Sequence, residues 1–282
     1  MKTDTARDPI DGWIGRTETR NDIGSWCATE GLRAIDPVIQ SAEGAAPLLS
    51  HWAHFLDIVP MAEIGDDGHP KRGGFLPPVQ LPRRMWAGSS LRFDRAIKVG
   101  AALTRRSTIT NIAQKSGGSG KLCFVTVEHE VCDEAGLLLS ERQDIVYRAA
   151  PGPGATQSRG APAPTVAQWS VRVAPDPVLL FRYSALTANA HRIHYDRPYA
   201  EQVEGYAGLV VHGPLLATLL LHHLLARHRG KDIATFAFKA VRPVTDALPF
   251  NLCGATSTDG SLQLWVSDTD GGVCMTATAR FR

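Results

Sequence analysis

Between Pro214 and Arg229 the chain reads PLLATLLLHHLLARHR, and no other segment limits the fold as strongly. Pro214 suits a first helical turn, Arg227, His228 and Arg229 suit a last one, and Gly230 is a natural stop. The run Leu215–Leu221 is apolar nearly all round, so this helix has to be enclosed and cannot lie on a surface. Four short alternating runs follow it: Thr235–Val241, Phe250–Ala255, Leu262–Ser267 and Val273–Arg282. Pro, Asp and Gly separate them, which predicts antiparallel strands. A helix with no polar face, followed by strands, predicts a sheet that wraps the helix.

The first half repeats this theme less cleanly. A helix is expected within Leu48–Leu56, then strands near Ser90–Phe93, Leu103–Ile112, Lys121–Cys132 and Leu138–Tyr147. Gln114–Gly120 (QKSGGSG) reads as a flexible turn between two of them; its glycines lack the Lys-Ser/Thr ending of a phosphate loop. Ala149–Gln168, rich in Pro, Gly, Ala and Ser, has no periodicity and reads as a connector. The expected organisation is therefore a unit at 1–148, a linker at 149–168 and a second unit at 169–282. The fold class is α+β: two long antiparallel sheets, expected to be continuous, each wrapping a central helix.

Composition narrows the function classes. An apolar fraction of 44% fills a core, and a formal charge of +2 without a long basic run argues against nucleic acid as a partner. No apolar stretch follows the charged N-terminus, and the segment around Gly208–Leu221 is broken by His212, Gly213 and Pro214, so neither a secretory signal nor a membrane span is expected. Five scattered cysteines without a Cys-x-x-Cys pair fit a reduced, cytoplasmic protein and no cysteine zinc site.

The chemistry concentrates in Phe181–Ala200, FRYSALTANAHRIHYDRPYA, which carries Tyr183, Ser184, Thr187, Asn189, His191, Arg192, His194, Tyr195, Asp196 and Arg197. That polar density fits a loop lining a site. A second cluster, Gly205–Pro214, leads straight into the apolar helix. A helix N-terminus offers unpaired N–H groups to a developing anion, and since Pro214 has none, the donor is Gly213 or a residue one step further in. His191, His194 and Asp196 could instead ligate a metal, but no Glu-x-x-His or Cys pair supports it. His222 and His223, adjacent on the helix, cannot share a face and read as packing or surface.

These runs resemble the MaoC-like hydratase/dehydratase family of the hotdog fold, and within it the hydroxyacyl-thioester dehydratase type 2 branch. LPRRMWAGSSLRF (Leu81–Phe93) and ERQDIVYR (Glu141–Arg148) resemble the noncatalytic hotdog of that branch. The resemblance implies a double hotdog and reversible hydration of an α,β-unsaturated acyl-CoA. It implies catalytic roles for His194, Asn189 and Gly213: His194 as general base, Asn189 as water holder, Gly213 at the thioester carbonyl. The family places an Asp five positions before its His; here Asn189 stands there, and His191 takes the place of the intervening Asn. An amide moves no proton at neutral pH, so the shared Asp–His duty is unavailable.

Within the branch the likeness is to hydratases of branched C5 dicarboxylic thioesters, 3-methylfumaryl-CoA or itaconyl-CoA, which give citramalyl-CoA. A buried substrate carboxylate requires a cation, and Arg83, Arg84 and Arg192 are the candidates. His191, Tyr195 and His212 complete the expected substrate-binding set. No cofactor and no metal is expected, because the thioester itself acidifies the α-carbon. The partner is an acyl-CoA, with no nucleic acid and no membrane, and a homodimer is compatible with this reading. Three alternatives stay open: a dehydratase acting on acyl-carrier-protein substrates, an acyl-CoA thioesterase, and a noncatalytic acyl-CoA-binding protein.

Overall fold

The computed structural model describes residues 10–117, 120–149 and 160–282. Ten strands form one antiparallel sheet: β1 (Thr17–Ile23), β2 (Arg83–Phe93), β3 (Ala102–Gly117), β4 (Gly120–Asp133), β5 (Gly136–Arg148), β6 (Trp169–Val173), β7 (Ile233–Ala240), β8 (Phe250–Thr256), β9 (Leu262–Ser267) and β10 (Val273–Phe281). Their spatial order is β1-β3-β4-β5-β2-β7-β10-β9-β8-β6. The first five strands come from the first half and the last five from the second. The two expected sheets are thus one, joined where β2 pairs with β7 from Gly88↔Lys239 to Arg92↔Thr235.

Helix α3 (Gly213–Arg227) occupies the concave side, and Leu215–Leu221, His222 and Leu224 are buried. It packs chiefly on β8 and β9. His222 donates from Nε2 to the Leu48 carbonyl at 3.0 Å, so a polar atom on an otherwise apolar helix is used to tie it to the first half.

The first half departs from the expected helix. Leu48–Leu56 holds only a 3-10 turn at Ser50–Ala53. Leu49 and Phe55 have positive φ (69° and 53°), and a left-handed residue at each side of the turn stops helix propagation. The helix of this half is α1 (Trp26–Arg33), capped by the Ser25 hydroxyl, which accepts from the Ala28 N–H. β1 and α2 (Pro177–Leu186) also went unread in the sequence. Asp176 caps α2 by accepting from the N–H groups of Val178 and Leu179, with Pro177 in the first turn. The polar run expected as loop begins as helix: Tyr183 and Ser184 sit buried on α2. The expected turn at Gln114–Gly120 is tighter, since β3 and β4 stay in register down to Gly117↔Gly120. Most of the expected linker, residues 150–159, lies outside the described residues.

A carboxylate is buried under the first half's 3-10 turn. Glu141 on β5 is 3% exposed and accepts from His51 Nε2 (2.9 Å), Trp52 Nε1 (3.1 Å) and Ser89 Oγ (2.6 Å). Burial alone would raise its pKa, but the bond from His51 and the neighbouring His129 and Ser89 bring it down to about 2. The turn that replaces a helix is therefore pinned to the sheet by a charged acceptor.

The seam between halves depends on Gly88. A Cβ there would run into the backbone of β7 at the Phe238 carbonyl and Lys239 Cα. Gly88→Ala is expected to cost about 1–3 kcal/mol through overpacking, read as a lower urea midpoint. A midpoint equal to wild type would show that β2 and β7 can part without loss.

Candidate active site

One cavity of about 1420 Å³ opens between the halves. It is lined by Arg83, Arg84 and Tyr147 from the first half and by His194, His212 and Gly213 from the second, among others. Its position follows from the fold. The α3 N-terminus ends at the seam, and the segment Leu209–Val211 is threaded beside it by Val210 N–H to Ile193 O (2.9 Å) and Val211 N–H to Val244 O (2.8 Å).

His194 sits at the end of a 3-10 turn, Arg192–His194, and is 7% exposed. Its Nδ1–H donates to the Val210 carbonyl at 2.7 Å, which fixes the tautomer and leaves Nε2 as a lone-pair acceptor. Burial lowers its pKa to about 4, opposed by the bond to Val210, with His69 lowering it further. His194 is therefore a neutral base at pH 7.

Four imidazoles run through the site. His212 stacks on His194 with centroids 3.6 Å apart, His191 meets His194 edge-on at 5.5 Å, and His69 lies 4.1 Å from His191. Burial, followed by the proximity of His69 and His194, pushes His191 down to about 2, and burial with His194 and His191 drives His212 far below its usual value. Neutral rings can stack; two adjacent imidazolium ions in a buried pocket would repel at high cost. His212 immediately precedes α3 without capping it through its side chain; it shares a 2.8 Å hydrogen bond through Nε2 with Ser184 Oγ, while its Nδ1 is buried without a partner.

At the α3 N-terminus Pro214 lacks an N–H and the first intrahelical bond is Leu216 to His212, so Gly213 and Leu215 carry the unshared donors. A Cβ built on Gly213 would meet nothing within 4 Å. Neither a positive φ nor a protein neighbour demands glycine here, so the bare backbone serves whatever enters the cavity.

Asn189 lines the cavity, but its Oδ1 accepts from the His191 N–H at 3.1 Å in a local turn. What it offers a ligand is its amide NH₂, a donor only. Two expected substrate contacts are overturned. Arg192 does not line the cavity: Nε and Nη2 donate to Asp196 Oδ2 at 2.9 and 2.7 Å, Nη1 donates to the Asp66 carbonyl, and the guanidinium lies over Tyr199 at 4.1 Å. Tyr195 is 45% exposed, away from the cavity, with its hydroxyl donating to the Ala190 carbonyl. A 3-10 turn advances about 120° per residue, so neighbours of His194 cannot share its direction.

The remaining arginines divide. Arg83 is paired with Glu204 Oε2 at 2.7 Å. Arg84 lines the cavity with no carboxylate partner among the described residues, facing across the ladder to Tyr147, whose hydroxyl is buried without a hydrogen bond. Arg148, opposite Arg83, was not singled out in the sequence; it lines the cavity in the same unpaired way. His69 and Asp67 were also missed, and only the turn-like Asp66-Asp67-Gly68-His69 run could have hinted at them.

The alternative metal trio of His191, His194 and Asp196 is not assembled, since Asp196 is held by Arg192. Among the described residues, Asp67, His69 and His191 do bring potential ligand atoms within 4.8 Å of one another. Asp67 is already engaged there, accepting from the His69 ring at 3.1 Å and from the His69 N–H at 2.9 Å. The arrangement is a hydrogen-bonded carboxylate–imidazole dyad. No helix of the described residues is long and apolar enough to cross a membrane.

Comparison with known proteins identifies the family and the fold. The pattern of the family "Hydroxyacyl-thioester dehydratase type 2" matches residues 49–246. The chain is 44% identical over 276 residues to the mesaconyl-C(4)-CoA hydratase of Chloroflexus aurantiacus, covering 94% of this chain and 95% of that protein. It is 25% identical over 255 residues to the mitochondrial hydroxyacyl-thioester dehydratase type 2 of Schizosaccharomyces pombe, covering 78% and 81%. A solved MaoC-like dehydratase superposes with a TM-score of 0.72 at 14% identity, covering 97% of this chain and 99% of that one, and shares the fold.

Two outcomes follow from the site. Gly213→Ala is expected to fold like wild type yet lose about ten- to a hundredfold in kcat/KM, because a methyl group displaces the bound thioester. Unchanged kcat/KM would remove Gly213 from the site. A base that must be neutral loses activity as pH falls through its pKa. With that pKa lowered to about 4, kcat/KM should stay level from pH 7 towards 5 and show no break near 6.5. A break at 6.5 would assign the base elsewhere.

Proposed function

The chain belongs to the hydroxyacyl-thioester dehydratase type 2 family and is a hydro-lyase of acyl thioesters, and on that premise we propose that it hydrates a branched C5 dicarboxylic acyl-CoA. The substrate is 3-methylfumaryl-CoA or itaconyl-CoA and the product citramalyl-CoA, in a reversible reaction. The 44% identity to a mesaconyl-C(4)-CoA hydratase supports this choice of acyl group. The division of labour is residues 1–148 for the acyl pocket, 149–168 as connector and 169–282 for the chemistry.

The observation that carries the reading is a buried, neutral His194, its Nδ1–H spent on Val210, lining the same cavity as the uncapped start of α3. The thioester carbonyl lies against the N–H groups at Gly213, so the negative charge that develops on its oxygen meets fixed donors. His194 Nε2 takes a proton from water as the oxygen bonds to the β-carbon. For 3-methylfumaryl-CoA, whose double bond is conjugated with the thioester, the double-bond pair moves onto the thioester enolate and the same proton returns from His194 to the α-carbon; itaconyl-CoA enters this step only after its double bond has shifted into conjugation. Asn189 donates from its amide to the water or the acyl group.

For the distal carboxylate the three candidate arginines reduce to one. Arg192 points away and Arg83 is neutralised by Glu204, leaving Arg84 with the Tyr147 hydroxyl beside it. A carboxylate entering an apolar pocket without such a partner would be expelled.

Loss of conjugated-thioester absorbance for 3-methylfumaryl-CoA and crotonyl-CoA, and formation of citramalyl-CoA from itaconyl-CoA, test the reading. His194→Ala should lower turnover by about two to four orders of magnitude, the size of a lost general base, and an active variant excludes the mechanism. 3-Methylfumaryl-CoA or itaconyl-CoA should be hydrated far better than crotonyl-CoA, and Arg84→Ala should raise KM for the dicarboxylic ester while sparing the neutral one. A preference for crotonyl-CoA or longer neutral chains moves the protein to the fatty-acyl side of the family.

A further inference from the structure

The second-half site lacks a carboxylate where its family places one, and the first half brings one to it. The loop Ile64–Pro70 closes as a small hairpin, with the Gly65 N–H donating to the His69 carbonyl at 2.8 Å and the Gly68 N–H to the Gly65 carbonyl at 2.9 Å. It is docked onto the His191–His194 turn by three independent contacts. The Arg192 N–H donates to the Asp67 carbonyl (2.9 Å), Arg192 Nη1 donates to the Asp66 carbonyl (3.0 Å), and Gly68 lies so close to Ala190 that a Cβ would fall 1.8 Å from its carbonyl oxygen. Gly68 also has φ +88°, so both conformation and contact demand glycine at that position. The same Arg192 that was a candidate for substrate is the clamp that holds this loop in place.

The docking brings His69, beside His191, and its partner Asp67 to the cavity wall. Asp67 Oδ2 accepts from His69 Nδ1, 3.1 Å away, which makes Nδ1 the protonated nitrogen and leaves Nε2 with a lone pair and no protein partner among the described residues. His194 has the same tautomer for the same reason, with Val210 in place of the carboxylate. We infer that His69, oriented by Asp67, is a second catalytic residue of the hydration, holding the reacting water jointly with His194.

A water donates one O–H to His194 Nε2 and the other to His69 Nε2, which directs an oxygen lone pair at the β-carbon. As the carbon–oxygen bond forms, His194 takes its proton and passes it to the α-carbon. The second O–H stays intact and becomes the product hydroxyl, still donating to His69. Water is consumed whole and no other reactant is needed. Positive charge that appears on His194 in between meets a neutral His191 and His212; the carboxylate at this end of the row of rings is Asp67. The groups facing His69 are Asp67, Arg72, Arg84 and His191, and burial outweighs Asp67 in setting its pKa below the usual value. His69 is thus neutral at pH 7 and able to accept. Asp67, which acts through His69, is a positioning residue.

This inference rests on the hydratase reading and is tested so that the two can fail separately. Wild type, His194→Ala, His69→Ala, His69→Gln and Asp67→Asn are assayed on 3-methylfumaryl-CoA, itaconyl-CoA and crotonyl-CoA, using whichever ester wild type hydrates fastest. His69→Ala should lower kcat by about a hundredfold or more with KM within about threefold of wild type. His69→Gln, whose amide oxygen can accept in place of Nε2, should keep at least about ten times the kcat of His69→Ala. Asp67→Asn, nearly isosteric and still able to accept from Nδ1–H, should lose about tenfold in kcat without a change in melting temperature. If His194→Ala is inactive but His69→Ala keeps wild-type kcat, or His69→Gln is no better than His69→Ala, the dyad is overturned and the hydratase reading stands. If His194→Ala is active, or wild type hydrates none of the three esters, both fall.

Discussion

A helix that is apolar on every side has to be enclosed, and the enclosure of α3 organises the molecule. Leu215–Leu221 lie buried against β8 and β9, and the sheet that covers them is long because a short one could not wrap a fifteen-residue helix. Enclosing the barrel of a helix leaves its ends. The C-terminal end reaches solvent with Arg227, whereas the N-terminal end stops at the seam between the halves, where its unshared N–H groups meet the cavity. Burial of the helix thus delivers a cluster of oriented donors to a cavity that side chains of both halves line. The site is a consequence of how the core closes.

The two halves play unequal parts in that closure. The first half has a 3-10 turn where the second has α3, and the space left is part of the cavity, lined by His51, Trp52, His129 and Glu141. A buried carboxylate in such a place would be costly if bare; Glu141 is supplied with donors from His51, Trp52 and Ser89. The second half, with its complete helix, supplies His194, His212 and Gly213. The seam at β2–β7 keeps the relative placement rigid, since a backbone ladder with Gly88 pressed against Phe238 admits little sliding.

Electrostatically the site is built around neutrality. His191, His194 and His212 are all held below their ordinary pKa by burial, reinforced by neighbouring imidazoles, which for His194 means His69. Each therefore works as a lone-pair acceptor or a packing surface instead of a cation. Among the cations that line the cavity, Arg83 is paired with Glu204 while Arg84 has no carboxylate partner among the described residues. A site of this kind favours an anionic acyl group near Arg84 and keeps its imidazoles neutral, free to accept from water.

Much of this was legible in the residues themselves. The limits of α3 and of β8, β9 and β10 follow from periodicity, proline and glycine, which are local signals and survive any tertiary setting. The polar run Phe181–Ala200 pointed to the cavity, which Asn189, His191 and His194 of that run line. What the sequence could not decide is direction. Arg192, His194 and Tyr195 are near neighbours in the chain, yet a 3-10 turn sends His194 into the cavity and the other two out of it. Nor could it pair Asp67 and His69 with His191, more than a hundred residues on, because that meeting depends on Gly68 fitting against Ala190 and on Arg192 clamping the loop. The expected helix at Leu48–Leu56 failed for a related reason: Leu49 and Phe55 adopt positive φ, held there by the tertiary packing that buries both side chains. Composition and period determine which segments must be buried and in what form, because those depend on neighbours along the chain. Which side chains face one another depends on contacts across it, and only the closed fold supplies those.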